Sequence, residues 1–435
     1  MKSVKKRFRL PRQVLSTNPF PLGALPDRKL YKYMPAQQVY FTYRHIDTRP
    51  ALALSKTSRL SSTAARHFTN TAWRMQNNQI ATNASPSTNM SPRILIFGTG
   101  SIGAVYSYIF SRAITPDNIF AVCRSNYDAA SSEGFTINST LFGQNLKVRP
   151  QVVRTVDEAV AKSQGKPFDY IIVTAKAIPS TPSLPEQISP AVSSEASTTI
   201  VLVQNGIAIE DIYSSRFPDN PLLSCVVYLP ATQTSPGTIA HGEVERLHIG
   251  TYPARGVPPS HKAAAESFAS LLRSAGGTAF VHDDVQSERW NKLLVNASWN
   301  PICALSRSRD VQFMRSSPSG EATALVRRVM LEIAAVAHAA GYPELDESKV
   351  DHQLGRAQAR SPPGVQPSMM ADALASRNME VDAIVGNALR VAGQRGVQTP
   401  LLGGIYALIK ALDQRFTESA TSPDATAATK GDLLR

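Results

Sequence analysis

Only three cysteines occur in the 435 residues, Cys123, Cys225 and Cys303, far apart along the chain. That spacing argues against a disulfide framework and a cysteine-based zinc site, and it suits a reducing compartment. The eight histidines form no HxH or HExxH pattern, so no metal centre is expected. No apolar run approaches the ~18 residues of a membrane span, and no membrane is expected as a partner. Acidic side chains are scarce in one region only. Residues 1–90 hold fifteen Lys and Arg against two acids, Asp27 and Asp47, which accounts for the whole net charge of +13. The other 345 residues carry 31 basic and 31 acidic side chains. A neutral body without a basic–aromatic surface argues against nucleic acid as a ligand.

The leader, residues 1–90, is rich in Ser, Thr, Ala, Asn and Pro and shows no sustained periodicity, so it is expected to be disordered. Leu52–Met75 sets Arg59, Arg66 and Arg74 among small and apolar residues without an acid, the composition of a mitochondrial presequence. Met90 stands just before the first expected strand, and a chain starting there would be cytoplasmic. Both readings stay open. With 43% hydrophobic and 18% charged residues, the remainder is expected to fold around a sizeable core.

Arg93–Phe97 (RILIF) is a continuous apolar run, as a buried parallel strand requires. It enters Gly98-Thr99-Gly100-Ser101-Ile102-Gly103, followed by a segment of helical spacing. Between a strand and a helix this GxGxxG has a mechanism. Gly98 permits the tight turn, Gly100 lets a pyrophosphate approach the backbone, and Gly103 lets helix and strand pack closely. The helix N-terminus then offers free N–H groups to the phosphates. A second strand, Ile119–Cys123, ends at Arg124 where an NAD-binding fold usually has an acid. A guanidinium suits a ribose 2′-phosphate, so NADPH/NADP+ is the expected cofactor, with a solvated surface arginine as the alternative.

Further strands are expected at Phe135–Asn138, Leu146–Val153, Asp169–Thr174, Thr199–Val203, Leu222–Leu229, Glu245–Gly250 and Thr278–Val281, with a helix over His261–Ala275. Pro236–Gly242 reads as a turn region and Pro179–Pro190 as a Pro/Ser-rich connection. Lys176 and Asn205 follow the ends of two successive buried strands, at the edge where α/β sheets bind ligands. From Gln286 onward the texture is helical, with helices expected from there to Pro301 and over Ser319–Ala340, Ser368–Arg395 and Leu401–Phe416. Thr417–Arg435 reads as a frayed tail.

Within the first of these helices, Lys292, Asn296 and Asn300 recur every four residues. Each such step turns only about 40° around a helix, so the three share one stripe. Leu293, Leu294, Val295, Ala297 and Trp299 surround them. A cation and two carboxamides on an otherwise buried helix are costly to desolvate unless something polar meets them.

From about Arg93 to about Phe416 the chain resembles the ketopantoate reductase family. The motifs are GTGSIG at 98–103, VTAK at 173–176, QNG at 204–206, the RWNKLLVNASWNP helix, and Ser368-Met369-Met370 with Glu380 twelve residues on. Ser298 and Trp299 are more polar or bulkier than the pattern expects between the two asparagines, and the 179–190 connection is longer. The resemblance implies an α/β N-terminal Rossmann dinucleotide-binding domain over 91–284. An all-α C-terminal domain over 285–416 follows, with the active site between the two. It also implies that Lys292 donates a proton to a ketone oxygen and that Glu380 assists it. Asn296, Asn300, Ser368 and Lys176 would bind substrate, and Lys176, Asn205, Arg124 and the 98–103 turn the cofactor. The implied reaction is NADPH-dependent reduction of 2-dehydropantoate to pantoate, in a monomer or homodimer. The alternatives are the same chemistry on another 2-oxo acid or ketone, and a non-catalytic NADPH sensor.

Overall fold

The computed structural model describes residues 91–421. The leader expected over 1–90, with its localisation, and the expected tail beyond residue 421 lie outside the described residues.

Strand β1 (Ile94–Phe97) has no residue more than 4% exposed. A strand apolar on both faces belongs inside a sheet covered on both sides. Helix α1 (Ser101–Phe110) leads to β2 (Ile119–Val122), and β3 (Phe135–Ser139), β4 (Gly143–Val148) and β5 (Gln151–Val153) follow. Next come β6 (Tyr170–Val173), β7 (Thr199–Leu202), β8 (Leu222–Tyr228), β9 (Ala231–Ser235), β10 (Thr238–His241) and β11 (Arg246–Thr251). Helix α2 (Pro259–Ser274) and β12 (Ala279–Val281) complete the β-rich part. Eight strands form one sheet in the order β12-β11-β8-β7-β6-β1-β2-β5, parallel throughout except for the β8–β11 pair. The chain steps outward from β1 to β2 and β5, then returns to β6 on the other side of β1. The space beyond the carboxyl ends of β1 and β6 is therefore the switch point where open α/β sheets bind ligands. A second sheet, β4-β3-β10-β9, stands apart.

The helical part is built around α3 (Gln286–Ser306). It is joined by α4 (Glu321–Ala339), α5 (Glu347–Gln358), α6 (Ser368–Leu374), α7 (Asn387–Arg395) and α8 (Pro400–Thr421). Leu293, Leu294, Ala297 and Trp299 of α3 enter one apolar core with Val326, Val329, Met330 and Ile333 of α4. Ser298, wholly buried, returns its hydroxyl to the Leu294 carbonyl at 2.6 Å. Ser298 and Trp299 thus fill the core. Among the described residues no helix is long and apolar enough to cross a membrane.

Several expectations are corrected. Leu146–Val153 is two strands in two sheets, because Pro150 between them supplies no ladder N–H. Pro236–Gly242 contains β10, paired parallel to β3 and antiparallel to β9. The 179–190 connection holds a short helix, Leu184–Ile188, started by a Ser183–Glu186 capping box. Ser368–Arg395 is not one helix. It ends at Leu374, passes Ser376 with φ +51, and resumes through a π-helical turn at Asp382–Gly386 before α7. The last helix runs five residues past Phe416. Helix α5, capped by Asp346 on the Lys349 N–H at 3.0 Å, was not anticipated.

Candidate active site

The glycine turn is shaped by what each residue must approach. Gly98 has φ +83, and a Cβ there would lie 2.5 Å from Ala175 on the loop after β6. At Gly103 a Cβ would meet the Thr174 hydroxyl at 2.7 Å. Gly100 is different, since a Cβ would find only the Gly98 carbonyl, at 4.0 Å, so its outer side is open to a ligand. Thr99 is buried, its hydroxyl donating to the Ile96 carbonyl at 3.0 Å, and the Asn126 carboxamide donates to the Thr99 carbonyl at 2.9 Å. Ser101 and Ile102 open α1, whose first turn has neither a side-chain cap nor an acid. Free N–H groups beside an open glycine fit a dinucleotide pyrophosphate.

Arg124, exposed beyond β2, donates to the Gln187 Oε1 at 2.9 Å. Gln187 belongs to the short helix of the 179–190 connection and is itself held by Ser180 and Pro182. That connection therefore reaches the expected 2′-phosphate position.

The stripe on α3 lies against the carboxyl ends of β7 and β8. Lys292 is partly buried, its Nζ donating to Asn205 Oδ1 at 2.9 Å and to the Val227 carbonyl at 2.6 Å. The Tyr228 ring lies 5.4 Å from the same nitrogen. Burial lowers the Lys292 pKa to about 8, helped by the nearby Arg289 cation and opposed by Glu380. Glu380, also buried, accepts the Ala177 N–H at 3.0 Å and the Asn205 side-chain N–H at 3.2 Å. Asn205 thus stands between Lys292 and Glu380, one end of its carboxamide on each.

One turn on, Asn296 lines the same small pocket as Asn205, Gly206, Arg289 and Lys292. Asn300, 4% exposed, has a side-chain Nδ2 without a hydrogen-bond partner. A buried, unpaired donor costs ~1–3 kcal/mol unless a ligand meets it. Ser368 stands exposed at the start of α6. Lys176 does not face α3 directly. It pairs with Asp372 at 2.7 Å and donates to the Asn378 carbonyl at 3.3 Å, joining the loop after β6 to the helical part. Among the described residues no His, Cys, Asp and Glu group could hold a metal ion.

Sequence reasoning missed Arg289, three residues before Lys292 on the same stripe. It also missed Glu210, which is fully buried and 3.0 Å from the Arg289 Nε. The i, i+3 spacing from Arg289 to Lys292 was the available signal.

Two family models match the chain. "Ketopantoate reductase PanE/ApbA" covers residues 94–254, and "Ketopantoate reductase PanE/ApbA C terminal" covers 284–413. A 2-dehydropantoate 2-reductase of Nostoc is 25% identical, over 74% of this chain and 95% of the relative. An uncharacterized protein of Saccharomyces cerevisiae is 28% identical, over 75% of this chain and 95% of that one. Among solved structures, 2-dehydropantoate 2-reductase from Methylococcus capsulatus superposes with a TM-score of 0.63 at 30% identity, over 75% of this chain and 98% of that one. A D-mandelate dehydrogenase solved with NADH and anilino(oxo)acetate shares the fold, with a TM-score of 0.64 at 20% identity, over 75% and 99%. By both family models and by the solved relative at 30% identity, the chain belongs to the ketopantoate reductase family.

Proposed function

We propose that the chain is an NADPH-dependent reductase of a 2-oxo acid, with 2-dehydropantoate reduced to (R)-pantoate as the first reading. The observation that carries it is the Lys292 ammonium, held by Asn205 and Val227 in the wall of a small pocket that Asn296 also lines, with the unpaired amide of Asn300 four residues further along the same stripe. Bound NADPH would supply the hydride. Lys292, softened by burial toward a pKa of about 8, gives its proton to the oxygen as negative charge develops there. Asn205 keeps the ammonium on that line, and Glu380 holds Asn205 and leaves some positive charge favoured at the site. Asn296, Asn300 and Ser368 orient the substrate by directional hydrogen bonds without adding charge. Arg124, pre-set by Gln187, offers a planar fork to the 2′-phosphate, which favours NADPH over NADH.

The second reading is the same chemistry on another 2-oxo acid. It is favoured by the fold shared with D-mandelate dehydrogenase and by the uncharacterized yeast relative. The test is NADPH oxidation with 2-dehydropantoate beside a panel of aliphatic and aromatic 2-oxo acids, in the parent and in Lys292→Ala. Turnover of 2-dehydropantoate above the panel, and a kcat loss on the order of 10²-fold or more in the variant, support the first reading. Preference for another acid selects the second. Tight NADPH binding with no turnover of any ketone returns the chain to a sensor.

A further inference from the structure

The Lys292 ammonium has two protein acceptors, and they belong to different elements. Asn205 lies in the loop after β7, and Val227 lies within β8. One side chain reaches the backbone beside both. Arg289 is 3% exposed. Its Nη1 donates to the carbonyls of Gln204 at 3.0 Å and Gly206 at 2.9 Å, the two neighbours of Asn205. Its Nη2 donates to the Cys225 carbonyl at 3.0 Å and the Ser224 hydroxyl at 2.8 Å, and its Nε to the same hydroxyl at 3.1 Å. A guanidinium has five N–H groups, and all five are engaged in holding these two segments together.

We infer that Arg289 is a positioning residue for the proton donor, clamping the loop at 204–206 to β8 so that both acceptors of Lys292 stay aimed at its Nζ. The inference rests on the reading of Lys292 as that donor. Arg289 touches no reacting atom; it acts through Asn205 and Val227. Its cost supports the assignment. A buried guanidinium must be paired, and Glu210 supplies the counter-charge with Oε1, which also accepts from Ser224 and Gln286, while its Oε2 is left buried without a partner. Well-packed apolar residues often match or exceed a buried ion pair in stability, so what this pair contributes is direction. Arginine is the residue type that fits, since a lysine keeps the charge but presents no planar fork to four acceptors. The cation also lies beside Lys292, whose other charged and polar neighbours are Glu380 on the helical segment, Asn205, and the Tyr228 phenol.

The experiment separates clamp from charge in the full chain, using Arg289→Lys, Arg289→Gln, Ser224→Ala and Lys292→Ala. It reads NADPH affinity by fluorescence, kcat and KM, and the pH midpoint of Lys292 reductive methylation by mass spectrometry, which needs no turnover. Displacing the donor by ~1 Å is expected to lower kcat ~10- to 100-fold in Arg289→Lys and by a smaller factor in Ser224→Ala. NADPH affinity should fall by no more than about threefold, because the glycine turn and Arg124 are unaltered and Asn205 alone among the cofactor contacts is shifted. The methylation midpoint should stay near 8 in Arg289→Lys and move upward in Arg289→Gln, which loses the neighbouring cation. Should the arginine variants not fold, Ser224→Ala decides alone, and a kcat equal to the parent's overturns the clamp. Full kcat in folded Arg289→Lys, with Lys292→Ala inactive, overturns it too. Full kcat in Lys292→Ala overturns the proton-donor reading itself and, with it, the inference.

Discussion

At the residue scale, Lys292 has to be a good acid and yet be present as the acid. With its pKa near 8, the ammonium predominates at neutral pH and transfers its proton far more readily than an ordinary lysine. Reduction should therefore have a full kcat below pH ~8 that falls as pH rises through that value, read from a pH series at saturating NADPH. A kcat flat to pH 10 would sink the assignment. The same shift acts on stability. Between pH ~8 and ~10.5 the unfolded chain binds the lysine proton and the folded chain has released it, so stability rises with pH across that window. Below pH 8 the buried cation is a standing cost. Lys292→Met should abolish turnover and remove that rise of stability with pH between ~8 and ~10.5, read from Tm in a pH series of both proteins. Arg124 makes a separate claim. Charge-assisted bonds to a phosphate are worth ~1.5–3 kcal/mol, so Arg124→Ala should weaken NADPH ~10- to 100-fold in a fluorescence titration and leave NADH nearly unchanged.

At the element scale, the carboxyl end of β7 meets the helical part through backbone. The Ile207 N–H donates to the Ala383 carbonyl at 3.1 Å, and Gly206, at φ +101, has no room for a Cβ, which would lie 2.3 Å from that carbonyl oxygen. Gly206→Ala should cost ~1–3 kcal/mol from backbone strain, with the added clash pushing Asn205 out of register and lowering kcat. Gly393→Ala is its control. Within α7, a Cβ at Gly393 meets nothing within 4 Å, so ~0.5–1 kcal/mol of stabilisation is expected, measured by thermal melts of both variants. What the sequence disclosed follows the same division. Strands β1, β2, β6 and β7 were legible because both faces are covered and, past Tyr170 and Thr199 at the starts of β6 and β7, every position is aliphatic, Phe97 and Phe120 apart. Strand β9, ATQTS, was not, since it is polar and on an edge. The break after Leu374 was hidden because no Gly or Pro marks it. It is made by tertiary partners: Asp413 accepts the Met379 N–H at 2.7 Å, and Glu380 accepts from Ala177 and Asn205. Lys292, Asn296 and Asn300 could be read from their spacing. Glu380 came only through resemblance, and Arg289 offered only its i, i+3 spacing to Lys292, since the backbone oxygens gathered around it leave no mark in the sequence.

At the scale of the described molecule, the sheet and the helices are laced into each other. Ile207, from the loop after β7, sits in the helical core, and Ala383, from the helical segment, sits in the core on one face of the sheet. Helix α3 does the same along its length, with Arg289 fixed among β7 and β8 and Leu293 to Ile302 filling the helical core. Lys176–Asp372, Arg390–Asp211 and the Asn387 amide on the Ile207 carbonyl add polar links across the same seam. Elements that share residues this way cannot separate without exposing both cores, so they should unfold together. The tryptophans make this measurable. Trp290 and Trp299 are both buried on α3, and the third, Trp73, belongs to the leader. Tryptophan fluorescence therefore follows the helical core, while far-UV circular dichroism follows all elements. The two melting curves should coincide. NADPH at ~100 times its Kd should then raise both midpoints by one common increment, worth about 2.7 kcal/mol, although its glycine turn lies wholly in the sheet part. Two resolved transitions, or a shift seen by circular dichroism alone, would mean that the seam is a hinge between independent units and that α3 transmits nothing across it.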